Sequence, residues 1–226
     1  PIAQTVSSKP KKNEYMTAQE LHPIKHGFVS TKTRILIVGT FPPKKEYIEK
    51  GNDFFFYSSE KNQFWNRIDN IFPNQNGLKK TKSKNKNESF KSNKKRKEMF
   101  CENACLGFID VFTRIRRKCI GSKDNDLIPD ENIVQNHYLD ELLIENGNIE
   151  RICCTYSLAF KTLLSEFRKN PNYSYSEISD SNSANGKKII VNFKSSRFEI
   201  VLLYPATRSN HKNEIKDSQY KYYLSL

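Results

Sequence analysis

No apolar run in this 226-residue sequence approaches the roughly 20 residues that span a membrane, and its amino-terminal stretch lacks the hydrophobic segment of a secretory leader. A soluble, intracellular protein is expected, cytoplasmic and, in a bacterium, nucleoid-associated. Cysteine is sparse: Cys101, Cys105, Cys119, Cys153 and Cys154 are odd in number and scattered, which excludes a disulfide framework and leaves reduced, buried thiols as the expectation. Cys101, Cys105 and Cys119 have no fourth ligand and no C-x-x-C spacing, so neither a zinc nor an iron–sulfur centre is supported, and no metal and no cofactor are expected. No strand runs into a G-x-G-x-x-G or Walker pattern, which argues against a nucleotide-binding enzyme. His22 and His26 have no acidic or cysteine neighbour in the sequence and read as surface or packing histidines.

Acidic residues are also in deficit. There are 25 against 38 Lys and Arg, a net charge of +13. That balance favours a polyanionic partner such as nucleic acid, with an anionic membrane surface as the competing reading. The excess is concentrated between Lys79 and Lys97, where nine Lys and Arg96 face Glu88 alone. Such a run is either a solvated insertion or a set of non-specific phosphate contacts. One domain over residues 1–226 accommodates this length, with a flexible basic arm at 1–13 and a Lys-rich insertion at about 75–97.

What is present is organised around Arg34 to Trp65. Ile35 to Val38 form an unbroken aliphatic run, as a strand buried on both faces requires. Gly39-Thr40-Phe41-Pro42-Pro43 then ends it with a rigid turn at the strand's carboxyl end, where open α/β sheets keep their ligand crevice. Phe54 to Tyr57 are four aromatics in a row, divided between core and platform. Phe64, Trp65, Ile68 and Ile71 mark one helix face. Thr17 to Glu20 has a capping-box pattern that predicts a single helical turn.

Farther on, Lys97 to Ala104 predict a helix leading into a strand, Cys105 to Phe112, that carries Asp110 at its end. A carboxylate there needs a partner, and Arg114 or Arg117 could supply one as an ion pair that fixes the loop. Glu131 to Glu145 have helical period, Ile149 to Thr155 read as a strand and Ser157 to Arg168 as its helix. Asn170 to Lys187 read as a long surface loop, and Lys188 to Phe193 with Phe198 to Leu203 as a hairpin. Asp217 to Leu224 close the chain as a helix with packed tyrosines. The alternation of strand and helix predicts a three-layer α/β/α sandwich with a mainly parallel central sheet, with Gly39, Asp110 and Pro205 at one edge.

A strand ending in G-[ST]-F-P, an aromatic pair, a polar spacer and N-x-F-W resembles the uracil-DNA glycosylase superfamily, in particular its hypoxanthine-type and mismatch-specific branches. Those branches carry tyrosine-tyrosine-x-histidine-proline-arginine-asparagine-x-phenylalanine-tryptophan. This chain has Phe56, Tyr57, Ser58, Ser59, Glu60, Lys61, Asn62, Gln63, Phe64 and Trp65, which keeps the spacing and lacks His-Pro-Arg. Asp110 followed by Gly121, Ser122 and Asp124 matches a second segment of the hypoxanthine-type branch. Tyr204 to His211 occupies the place of the superfamily's second motif, a loop that wedges into the duplex and stabilises the leaving base. Tyr204 stands where the uracil-specific branch begins that motif with histidine. By element order the resemblance runs from about His22 to His211.

The resemblance implies a uracil-DNA glycosylase-like fold and a monomeric DNA glycosylase. It would release a damaged or mismatched base, of the uracil or hypoxanthine class, from duplex or single-stranded DNA by hydrolysis of the N-glycosidic bond. Such an enzyme extrudes the base, stacks its face and reads its edge. Phe41, Phe56 and Tyr57 are the expected stacking groups and Asp110 the edge reader. Asn62 is expected to position the water, with Thr40 and His211 as further catalytic candidates. Arg208, with Ser209 and Asn210, takes the wedge position, and Lys79, Lys80, Lys94, Lys95 and Arg96 are phosphate contacts. An amide is not a strong base, so Asn62 serves only if bond breaking is well advanced before water adds. The structural alternative for Asn62 is a helix N-cap. The alternative for the whole chain is a catalytically inactive nucleic-acid-binding module of the same fold.

Overall fold

Ile35, Leu36, Ile37 and Val38 are each 0% exposed, so side chains pointing both ways from one strand are covered. That strand, β2 (Ile35–Gly39), is central because both of its neighbours run parallel to it. In the computed structural model, residues 18–24, 26–58, 62–72, 94–118, 124–129, 136–206 and 211–225 are described, without the side chains of 45–47, 136–138 and 144. The basic arm, most of the Lys-rich stretch, Gly121, Ser122 and residues 207–210 lie outside them.

On one side of β2 lies β3 (Leu106–Asp110), and on the other β6 (Arg151–Cys154), itself parallel to β9 (Ser196–Leu202). Two antiparallel strands, β8 (Lys187–Phe193) and β7 (Tyr173–Ser179), complete a mainly parallel six-stranded sheet in the order β3-β2-β6-β9-β8-β7. A smaller sheet joins β1 (Glu20–Leu21), β4 (Arg114–Arg117) and β5 (Leu127–Pro129).

Alternation along β2 divides the core. Leu36 and Val38 belong to one apolar cluster with Leu139, Leu142 and Leu143 of α4 (Asn136–Glu145) and Phe160, Leu163 and Phe167 of α5 (Ser157–Lys169). Ile35 and Ile37 belong to another, with Phe64, Trp65 and Ile68 of α2 (Phe64–Ile71), Phe100 of α3 (Lys94–Asn103), and Tyr220 and Tyr223 of α6 (Asn213–Leu224). Trp65 is wholly buried, and its indole N–H donates to the Phe56 carbonyl at 2.7 Å, so the ring is buried without stranding its donor. Truncating such a ring to alanine typically costs about 3–5 kcal/mol. Among the described residues no helix is long and apolar enough to cross a membrane.

Two sequence expectations change, and two stretches given no element take one. Glu20 is in a strand: its carboxylate accepts from the Arg117 guanidinium at 3.2 Å, and that buried ion pair outweighs the capping-box pattern. Arg114 to Arg117, assigned to no element from the sequence, form a strand. The expected loop from Asn170 to Lys187 contains β7, paired with β8 from Tyr173↔Phe193 to Ser179↔Lys187. Six of its seven residues are exposed, so this edge strand has no inward apolar face to leave a period in the sequence. The stretch after Pro43 forms a helix, α1 (Lys44–Lys50), with a 3-10 turn at Gly51–Asp53. Cys101, Cys105, Cys153 and Cys154 are free thiols as expected, and burial pushes the Cys153 thiol up to about 12.

Candidate active site at the carboxyl ends of the parallel strands

Parallel pairing brings the carboxyl ends of β2, β3 and β6 to the same edge. Gly39 is in register with Asp110, and the pairing continues beyond both strands as Val111 N–H donates to Gly39 O at 3.0 Å and Phe112 N–H to Thr40 O at 3.2 Å. Thr155, just past β6, donates its backbone N–H to Val38 O at 3.0 Å. Glycine is required at 39 by close approach. A Cβ there would collide with Asp110 Oδ1 and lie 2.8 Å from the Tyr57 hydroxyl.

Tyr57 has a left-handed backbone, φ 56°, uncommon for a residue with a side chain. Its ring stacks on Phe64 with centroids 4.7 Å apart, and its hydroxyl shares a 2.8 Å hydrogen bond with Thr155 Oγ1. Burial, and secondarily the Asp110 charge, push its pKa well above 10, so it remains a neutral hydroxyl. Thr40, 3% exposed, donates its hydroxyl to Asp124 Oδ1 at 2.8 Å. Burial raises the Asp124 pKa from 3.8; the Thr40 bond opposes that shift and the Asp110 charge adds to it.

His22 completes the group. Its Nε2 is 2.9 Å from Asp110 Oδ2, with both side chains almost entirely buried. The imidazole meets Phe41 edge-on at 5.2 Å and stacks near Phe56 at 5.8 Å. The Phe41-Pro42 turn is held from behind by Arg117, whose Nη2 donates to Pro42 O at 2.8 Å and whose guanidinium lies 5.7 Å from the Phe41 ring. The arrangement sets an acceptor, Asp110 Oδ1, beside a hydroxyl, Tyr57, over a residue with no side chain. Asp110 Oδ1 there suits a planar ligand edge that presents a donor.

No family model matches the sequence, and no curated protein matches it. Among solved structures, the chain is similar to the solution NMR structure of a proposed uracil DNA glycosylase from Methanosarcina acetivorans, with a TM-score of 0.52 and 19% identity. The match covers 88% of this chain and 96% of that one. The likeness is one of fold.

Thr40, Phe41, Tyr57 and Asp110 are therefore brought together, with Phe56 beside them at 2% exposure, a core position next to His22 and Phe108. Asn62 is buried just before α2, where its Oδ1 accepts the Phe64 N–H at 2.9 Å; the N-cap of α2 is Gln63, so Asn62 closes the turn into the helix instead of occupying the expected cap position. His211 sits elsewhere, in a cleft of about 630 Å³ between α2 and α6 lined also by Arg67, Lys212 and Lys216, with its ring 4.2 Å from Tyr204. Lys94, Lys95 and Arg96 form the first turn of α3, where Lys94 Nζ donates to Asn52 O at 3.0 Å. Arg208, Ser209, Asn210, Lys79 and Lys80 lie outside the described residues.

Two expectations about pairing are corrected. The partner of Asp110 is His22, not Arg114 or Arg117, because Arg117 is taken by Glu20. His22 is correspondingly not a mere packing histidine. Its acid lies 88 residues away, so no local spacing could announce the pair. Thr155 was missed for the same reason: only the β2–β6 pairing brings it to Tyr57.

Proposed function

We propose that the chain is a DNA glycosylase that hydrolyses the N-glycosidic bond of a damaged or mismatched base of the uracil or hypoxanthine class. The observation that carries the reading is the convergence of Asp110 Oδ1 and the Tyr57 hydroxyl over Gly39, at the crevice end of a sheet whose fold resembles a proposed uracil DNA glycosylase. In this reading the two apolar clusters are the two faces of a three-layer α/β/α sandwich. The extruded base enters at the strand ends, and its edge meets Asp110 and Tyr57. As the bond from C1′ to the base nitrogen breaks, its electron pair leaves on the base. Water adds to C1′ and gives up a proton, and the base takes one up.

Asn62 orients that water, Arg208 fills the space left in the duplex, and the lysines between Lys79 and Arg96 hold phosphates. Backbone N–H groups of the last loop stabilise the departing base, a role that His211, which lines the separate cleft between α2 and α6, does not share in this reading. The test is incubation of the purified chain with duplexes containing uracil, hypoxanthine or mismatches, followed by alkaline cleavage at abasic sites. Strand cleavage at the modified position is expected. Intact strands with every substrate would reject it.

One observation favours a second reading, an inactive nucleic-acid-binding module: Asn62 Oδ1 is already engaged by the Phe64 N–H. That module would bind the same duplexes and cleave none.

A further inference from the structure

His22 has no role in the base-release chemistry, yet it is 7% exposed and its bond to Asp110 joins the segment after β1 to the end of β3. A buried imidazole and a buried carboxylate at 2.9 Å leave two arrangements. Either Nε2 carries the proton and Asp110 is an ionised acceptor, or Asp110 carries it and Nε2 accepts. The other ring nitrogen accommodates both charge states of the ring. Nδ1 is 3.0 Å from the Ile24 N–H and 2.7 Å from the Ile24 carbonyl. A neutral ring can accept from the first while Nε2–H donates to Asp110, and a charged ring can donate to the second while Nε2–H still donates to Asp110. In either state the Asp110 bond survives, because Ile24 offers Nδ1 both a donor and an acceptor.

The remaining oxygen is the one that matters for a ligand. Asp110 Oδ1 accepts no hydrogen bond among the described residues and lies where a side chain of residue 39 would begin. We propose that His22 is a positioning residue that holds Asp110 by its Oδ2 and so turns its Oδ1 toward the ligand, so that the site selects a base edge presenting a ring N–H. Uracil and hypoxanthine present such an N–H beside a carbonyl; cytosine and adenine present a bare ring nitrogen at the same place. The inference rests on the reading of this crevice as a base pocket.

Without the imidazole, Asp110 would be a buried carboxylate lacking its donor, and it would take up a proton more readily. A protonated Asp110 with its O–H toward the ligand would oppose a ring N–H and donate to a bare ring nitrogen. The titratable groups facing Asp110 are His22 after β1, Tyr57 before α2 and Asp124 before β5. The last two are common to the wild type and a His22 variant, so the difference between the two proteins isolates His22.

The experiment measures binding of free uracil, hypoxanthine, cytosine and adenine to the full chain by ligand-detected NMR between pH 5 and 8, for wild type, His22→Gln and His22→Leu. The wild-type preference for uracil or hypoxanthine is expected to stay flat over this range. His22→Leu should weaken binding of those bases about tenfold, the scale of a lost bond to a charged group, and the loss should grow as pH falls. His22→Gln, which retains an N–H, should restore both affinity and the flat profile. A His22→Leu profile parallel to wild type overturns the proposal while leaving the base pocket intact. Wild type that binds none of the four bases overturns the pocket reading itself, and the proposal with it. If His22→Leu does not fold, the ¹⁵N shifts of His22 in the wild type decide the matter. Nε2 protonated at pH 8 supports the proposal, and Nε2 bare at that pH overturns it.

Discussion

Asp110 Oδ1 occupies the place where a side chain on Gly39 would begin, so the acceptor of the site and the smallest residue of its floor are one structural unit. Gly39→Ala is expected to displace Asp110 or the Tyr57 hydroxyl, because an added Cβ would collide with Asp110 Oδ1 and lie 2.8 Å from the hydroxyl. Base binding should fall more than tenfold, with a stability loss of about 1–3 kcal/mol from overpacking. Thermal melts beside base titrations check this, and an alanine variant with unchanged affinity would place the ligand elsewhere.

Asn62 is the second test. Its Oδ1 accepts the Phe64 N–H at the entry to α2, so Asn62→Ala should cost about 1 kcal/mol of stability, the usual value of a lost hydrogen bond. If Asn62 also orients water, the same variant should slow base release by roughly 10², while Asn62→Ser restores stability and leaves the rate low. Single-turnover rates and chemical denaturation, measured together, separate the two roles. A fully active serine variant would remove Asn62 from the chemistry.

The Lys-rich stretch calls for a cut placed by structure. Lys97 is 1% exposed, donates to Ser58 Oγ at 2.7 Å and lies 5.3 Å from the Trp65 ring centroid, so it belongs to the core. Deleting residues 79–93 removes six Lys and Glu88 and leaves α3 whole. Duplex binding should weaken at low salt, and the slope of log K against log salt should become shallower by about 0.9 for each phosphate that the shortened chain no longer neutralises. An unchanged slope would mean that these lysines do not touch DNA.

Asp124 gives a pH prediction. Its pKa is raised in the folded chain, chiefly by burial, so between 3.8 and the raised value the folded state holds the proton more tightly than the unfolded one. Stability should therefore fall as pH rises through that interval and then level off. Asp124→Asn keeps an oxygen for the Thr40 hydroxyl and removes the titration. The variant should be more stable than wild type at pH 7, with the difference shrinking toward pH 4. Urea midpoints at both pH values test this.

The parts of the molecule legible in the sequence are those whose signal is local. Ile35 to Val38, the α2 face through Phe64, Trp65 and Ile68, the α5 stripe and the β8–β9 hairpin announce themselves by period, and the thiols by their number. Asp110 stood out because a carboxylate ends an apolar strand. What could not be read depends on pairing between distant segments. β1 has two residues and leaves no pattern, yet it brings Glu20 to Arg117 and, just beyond its end, His22 to Asp110. The wet edge strand β7 reads as loop, since its backbone is held by a neighbour and not by its own side chains.

The short strand β1 also bears on when the site comes into being. Its two residue pairs with β4 close a long loop, so their entropy cost is repaid only after the parallel strands have already met. The His22–Asp110 bond, 88 residues apart, is thus expected to form on the downhill side of the folding barrier. His22→Leu should leave the refolding rate nearly unchanged and speed unfolding, as stopped-flow chevrons would show. By the same argument native-state hydrogen exchange should show this segment opening before the parallel strands, which would make the strap that completes the crevice also its most readily opened wall.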